Sequence, residues 1–172
     1  MKTETENAGL PQPITPVCRV PKLLKGQKAL VTGANSGIGK AVAIALAEAG
    51  ADVVVNFVQG NTSANAVVET ISSHGVRGLA IQADVSQEPV VEAMFAKMLK
   101  EFGTIDILVN NAGLQKDAPF EEMTLSQWNT VIGVNLTGQF LCAGGGSRIQ
   151  AARRCQRSLR FRWQDHLHEF RA

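Results

Sequence analysis

Two hydrophobic rhythms alternate along this chain. Short, mostly apolar runs, 28–32 (KALVT), 52–56 (DVVVN), 79–82 (LAIQ) and 105–109 (IDILV), read as strands of the kind buried on both faces. Between them the apolar residues recur every three or four positions, which predicts helices. The first runs from Ile38 to Ala49 and is closed by Gly50. The second spans 61–74, with Asn61 or Thr62 as cap and Gly75 behind it. The third spans 86–102, with Ser86 as N-cap, Pro89 in the first turn, and Val90, Met94, Met98 and Phe102 on one face. A long apolar helix is expected from Ser126 to Ala143, with Trp128 and Phe140 in the core. Strand–helix alternation of this kind predicts an α/β fold, a Rossmann-like doubly wound parallel sheet with right-handed crossovers.

The flanks break the rhythm. Four of the six prolines (Pro11, Pro13, Pro16, Pro21) fall within the first 21 residues among polar neighbours, so residues 1–25 are expected to form a mobile leader. Charge shifts abruptly near the other end. Residues 1–146 hold 10 basic and 13 acidic groups, net −3, whereas residues 147–172 hold 7 basic and 2 acidic groups, net +5. Every basic residue of that second segment is Arg. A boundary is therefore expected, with 26–143 as the folded unit and 144–172 as an Arg-rich aberrant tail.

Composition narrows the class. At 172 residues, 45% hydrophobic and 19% charged, the chain has room for one globular domain. No apolar run reaches the roughly 18 residues of a membrane helix. Cys18, Cys142 and Cys155 follow no zinc or C-x-x-C spacing, so a reduced compartment, the cytoplasm, is expected. His166 and His168 lack a nearby third ligand and are read as incidental, and Cys142 as a small buried apolar residue rather than a nucleophile.

The chemistry begins after the first strand. Gly33-x-x-x-Gly37-x-Gly39 lies between a strand and a helix. Glycines there let the backbone approach a pyrophosphate, and the helix N-terminus attracts it. The end of the second strand, where a carboxylate would meet the adenosine ribose, holds Asn56. That permits NADP, yet no Arg or Lys stands at Ser36 or at 57–59 to hold its phosphate. NAD or NADP is expected, with the preference open.

Four motifs in order, TGANSGIG (32–39), Asp84-Val85, NNAG (110–113) and VNLTG (134–138), resemble the short-chain dehydrogenase/reductase family. The resemblance covers 26–143, and GVNLTGQFLCA (133–143) is most similar to its glucose 1-dehydrogenase-like group. It implies an NAD(P)-dependent oxidoreductase that moves hydride between nicotinamide and an alcohol or carbonyl such as a sugar. It implies that Gly33, Ala34, Asn35, Ser36, Gly37, Ile38 and Gly39 form the pyrophosphate turn. Asp84 would bond the adenine with Val85 beside it, while Asn111, Ala112 and Gly113 would floor the nicotinamide ribose. Asn135 would be the catalytic, helix-kinking Asn that holds a proton-relaying water. The family strand order implies 3-2-1-4 for the four strands here, with 105–109 as an open apolar edge and the family-type oligomer disrupted.

The family's catalytic Tyr-x-x-x-Lys pair does not occur: the chain has no Tyr, and no Lys after Lys116. A truncated, inactive and aggregation-prone enzyme is therefore expected. The competing reading is a nucleotide-binding module whose tail (153–163, RRCQRSLRFRW) contacts nucleic acid. The lack of Lys and of periodicity weighs against it. A shifted reading frame after Ala143 explains the tail instead. Read one nucleotide later, 144–152 can encode EAVREFKR and 163–171 can encode GKIICMSSV. The second resembles the family's fifth strand approaching its catalytic Ser.

Overall fold

The computed structural model describes residues 21–151. Four strands, β1 (Lys28–Val31), β2 (Asp52–Phe57), β3 (Gly78–Gln82) and β4 (Ile107–Val109), form one parallel sheet in the order β3-β2-β1-β4. The expected order and direction are both present. Helices α1 (Gly37–Glu48), α2 (Asn61–Ser73) and α3 (Glu88–Phe102) connect them. A short 3₁₀ turn (Phe120–Glu122) precedes α4 (Leu125–Ile132).

Side chains alternate across a strand, so each strand feeds two cores. On one face Ala29, Val31, Val53, Val55 and Phe57 pack against α1 and α2 through Ala43, Ala47, Ala64, Val67 and Ile71. On the other, Leu30, Val54 and Ile81 pack against α3 through Val91, Met94, Phe95, Met98 and Phe102. The α3 stripe thus contains three of its four expected members. Val90 points outward, and Val91 and Phe95 take its place.

Several boundaries differ from expectation for local reasons. The N-cap of α3 is Gln87, because Ser86 is already bonded to Asp84. The N-cap of α2 is Gly60 in the left-handed region, at φ +85°. Residues 21–25, expected in the leader, fold against the body: Leu24 donates its N–H to Ala49 and packs on the first core. The rest of the expected leader, and the tail from 152, lie outside the described residues.

The long helix from the fourth motif is not uniform. Thr124 caps α4 with a reciprocal bond pair to Gln127. The helix then widens into a π turn over Gly133–Thr137 and continues α-helical over 138–151, past the expected end at Ala143. On that extension Gly145 lies against the Phe95 ring and Ile149 packs on the second core. Trp128 and Phe140, expected in the core, are 54% and 73% exposed. Both lie on helical turns, but among the described residues neither is covered.

Candidate functional site

A cleft of about 1400 Å³ opens along the C-terminal ends of the strands, where open α/β sheets bind ligands. One wall is the turn from β1 into α1. Gly33 and Gly37 sit at φ +62° and +54°, a region other residues resist. A Cβ on Gly37 would meet nothing within 4 Å, so this glycine faces open space. Gly39 is constrained differently: a Cβ there would run into Asn111 Nδ2 and the Gly33 carbonyl. Ser36, the N-cap of α1, makes no side-chain cap bond, and the first turn carries no acidic residue. The first-turn N–H groups have no partner within the helix, and they carry its positive end.

Asn35, Ser36, Ile38, Asp84, Val85, Asn111, Ala112 and Gly113 also line the cleft. Ala34 does not. It is fully buried under the turn, its N–H donated to the Asn56 carbonyl. Asn35 donates its amide to Gln59 O at 2.8 Å and Ser63 Oγ at 3.3 Å, tying the turn to the start of α2.

Asn56 departs most from expectation. It touches the cleft wall but is only 1% exposed. Its Oδ1 accepts the Gly33 N–H at 3.3 Å, and its Nδ2 donates to Ala83 O at 2.9 Å and Ile81 O at 3.4 Å. The side chain is thus spent bracing the glycine turn against β3. The positions beyond β2 that open onto the cleft are Val58 and Gln59.

The floor is organised by a hydroxyl that spacing arguments did not single out. Thr32 Oγ1 accepts the N–H groups of Asn111 and Ala112, both at 2.9 Å, and donates to Val109 O at 3.3 Å. Asn111 returns the contact, its amide donating to Thr32 O and Gly33 O. Strand β1, the end of β4 and the glycine turn are locked through one buried threonine.

Asn135 sits in the π turn and pairs with Leu114 in both directions, accepting its N–H and donating to its carbonyl, each at 2.9 Å. The kink falls at the expected position, and the side chain acts as a clasp on the loop after β4. Asp84 Oδ1 accepts from Ser86 N–H and Oγ, a turn-closing arrangement at the cleft margin. Leu125, Ser126, Asn129, Thr130 and Val134 complete the far wall. No local pattern marks them in advance, because their role depends on how α4 crosses the cleft. Cys142 is buried, and burial pushes its thiol up to about 11, as expected of an inert cysteine. Among the described residues no cluster of His, Cys, Asp or Glu is arranged for a metal, and no helix is long and apolar enough to cross a membrane. The His166/His168 pair and the nucleic-acid segment 153–163 lie outside the described residues.

The short chain dehydrogenase family model matches residues 27–152. A 3-oxoacyl-[acyl-carrier-protein] reductase of Synechocystis is 45% identical over 136 residues, covering 79% of this chain and 55% of the relative. A reductase of the same name from Staphylococcus epidermidis is 45% identical over 116 residues, 67% of this chain and 48% of its own. Among solved structures, a short-chain dehydrogenase from Burkholderia cenocepacia in complex with NADP superposes with a TM-score of 0.72 at 36% identity, over 74% of this chain and 52% of that one. A short-chain type dehydrogenase/reductase from Mycobacterium marinum gives 0.73 at 38% identity, over 77% and 53%. The chain therefore spans about half the length of the relatives it matches. None of these relatives supports the glucose 1-dehydrogenase-like assignment.

Proposed function

The chain belongs to the short chain dehydrogenase family, and from that premise we propose that its cleft binds a nicotinamide adenine dinucleotide, as the dinucleotide half of an oxidoreductase. The observation that carries this reading is the glycine turn. Gly37 leaves open space directly before the uncapped first turn of α1, a cradle that fits a pyrophosphate. The NADP held by the Burkholderia relative accords with it.

When bound, the nicotinamide supplies the hydride donor or acceptor. The chain's own residues bind and orient. Gly33, Gly37 and Gly39 shape the phosphate seat, Asp84 and Val85 stand at the adenine side, and Asn111, Ala112 and Gly113 support the ribose of the nicotinamide. Asn135 is a positioning residue here, since its amide is committed to Leu114 and steadies the loop beside that ribose. Ala34 and Asn56 shape the turn from beneath.

Proton transfer to an alcohol or carbonyl oxygen needs a positioned acid–base group. The family supplies this with Tyr and Lys, and the chain has no Tyr and no Lys after Lys116. We therefore read the 172-residue chain as a cytoplasmic cofactor-binding unit that turns over no substrate by itself. In the family reading its substrate class is an alcohol or carbonyl such as a sugar. A shifted reading frame remains our account of the Arg-rich stretch, and sequencing the locus tests it. A restored frame should reach Tyr-x-x-x-Lys within about 20 codons of the recovered Ser pair, the distance the family's spacing implies. Its absence overturns that account.

The test of the main reading is a titration of the purified chain with NADH, followed by nicotinamide fluorescence. Saturable binding that is lost in Gly37→Asp supports it. No binding, or binding unaffected by that substitution, overturns it. Turnover of alcohols or sugars by the unmodified chain would overturn the claim of inactivity.

A further inference from the structure

Building on the dinucleotide reading, we infer that this cleft discriminates against a 2′-phosphate, so that the chain takes NAD(H) in preference to NADP(H). In a βαβ unit of this kind the adenosine ribose lies beyond the end of the second strand, opposite the glycine turn. Here that corner is made by Asn35, Ser36, Val58 and Gln59. None is cationic. Among all the described residues lining the cleft the single ionisable one is Asp84, a carboxylate. Lys40, the basic residue of α1 nearest in sequence, does not line it.

The neutral donors of the corner are largely spent as well. The Asn35 amide donates to Gln59 O and Ser63 Oγ, and the Ser63 hydroxyl donates to Gly60 O. Gln82 Nε2 holds Val58 O at 2.8 Å, so the wall is pinned from behind. The N-terminus of α2 begins at Gly60 and offers a helix end of about half a positive charge. That partial charge does not neutralise a phosphate carrying close to two negative charges, and the Asp84 carboxylate adds repulsion at longer range. A ribose bearing free hydroxyls asks less of this wall: Gln59 and Ser36 offer neutral partners, and nothing charged is left uncompensated.

The experiment titrates the full chain with NADH and with NADPH in parallel, at low and at raised salt. The expected result is tighter binding of NADH by about tenfold, the scale of one missing charge-assisted contact. Val58→Arg places a cation in the corner and should move the ratio of the two affinities toward NADPH by about tenfold, an effect that raised salt weakens. Equal or tighter NADPH binding by the unmodified chain overturns the inference. So does an affinity ratio that Val58→Arg leaves unmoved. Failure of both dinucleotides to bind is a different result: it brings down the dinucleotide reading itself, and the preference with it.

Discussion

Asn56→Asp separates two readings of one position. A carboxylate at the end of the second strand would, from sequence alone, be expected to greet a ribose hydroxyl and sharpen preference for NAD. The structure predicts damage instead. Asn56 is 1% exposed, and its Nδ2 is the donor to Ala83 O and Ile81 O. The substitution removes that donor, sets an anion against two carbonyl oxygens, and keeps only the acceptor for Gly33 N–H. Losing the donor leaves a buried acceptor unsatisfied, at about 1–3 kcal/mol, and the uncompensated charge brings the total to about 3–5 kcal/mol at pH 8. Burial must raise the new carboxyl above its usual value. Stability of the variant relative to wild type therefore recovers as pH falls through that raised value toward the unfolded-state value of about 4, where both states are protonated and the new O–H can donate to Ala83. Urea unfolding at pH 8 and near pH 4.5 measures it. The midpoint gap should be large at pH 8 and mostly close at the lower pH. A variant as stable as wild type at pH 8, or a gap that widens on acidification, would refute the buried-brace account.

Thr32→Val deprives the Asn111 and Ala112 N–H groups of their acceptor while keeping shape, so it should cost about 2–3 kcal/mol by urea unfolding, against about 1 kcal/mol for Thr32→Ser; equal losses would argue that the methyl, not the hydroxyl, matters. Gly39→Ala drives a Cβ into Asn111 and the Gly33 carbonyl and should destabilise by about 2 kcal/mol or more, whereas Gly37→Ala meets open space and should cost about 1 kcal/mol, for its positive φ alone. The reverse order in thermal melts would count against the contact argument. Burial raises the Asp52 carboxyl, but bonds from the Lys28 side chain and from the Arg77 backbone and side chain outweigh it and hold it below its ordinary value. Its contribution is complete above the unfolded-state value and is lost as pH falls through the lower folded-state value. Asp52→Asn should therefore lose about 1–2 kcal/mol at pH 7 and show a shallower acid limb than wild type; parallel acid limbs would contradict this.

The parallel pairing and the glycine turn were legible because each rests on local chemistry, such as strands alternating with helices and glycines where φ must be positive, whereas the strand order came only from the family resemblance. The irregular turn at Asn135 came from the same resemblance, since low helix propensity alone says only that an Asn within a helix costs a little stability. Burial on α4 was not legible. Trp128 and Phe140 fall within an apolar helical stretch, but only the three-dimensional neighbours decide whether either is covered. Asn56 misled because proximity to the end of β2 says nothing about which way an amide turns. At a strand end, Thr32 carries no spacing signal, and its partners lie about 80 residues away. The helix running to 151 shows that a change in composition at Gly144 need not stop a helix already begun.

The two cores also close at different times during synthesis. Every fully buried member of the first lies between Ala29 and Ile71, so that layer is available as soon as α2 has left the ribosome. The second needs α3, then Ile105, and finally Cys142. Between those moments the opposite faces of β1, β2 and β3 present Leu30, Val54 and Ile81 with nothing above them. A nascent chain paused in that interval is a half-built sandwich whose greasy side invites chaperones. Limited proteolysis of ribosome-bound chains of increasing length should protect residues 28–71 before residues 88–142, and simultaneous protection would contradict this order.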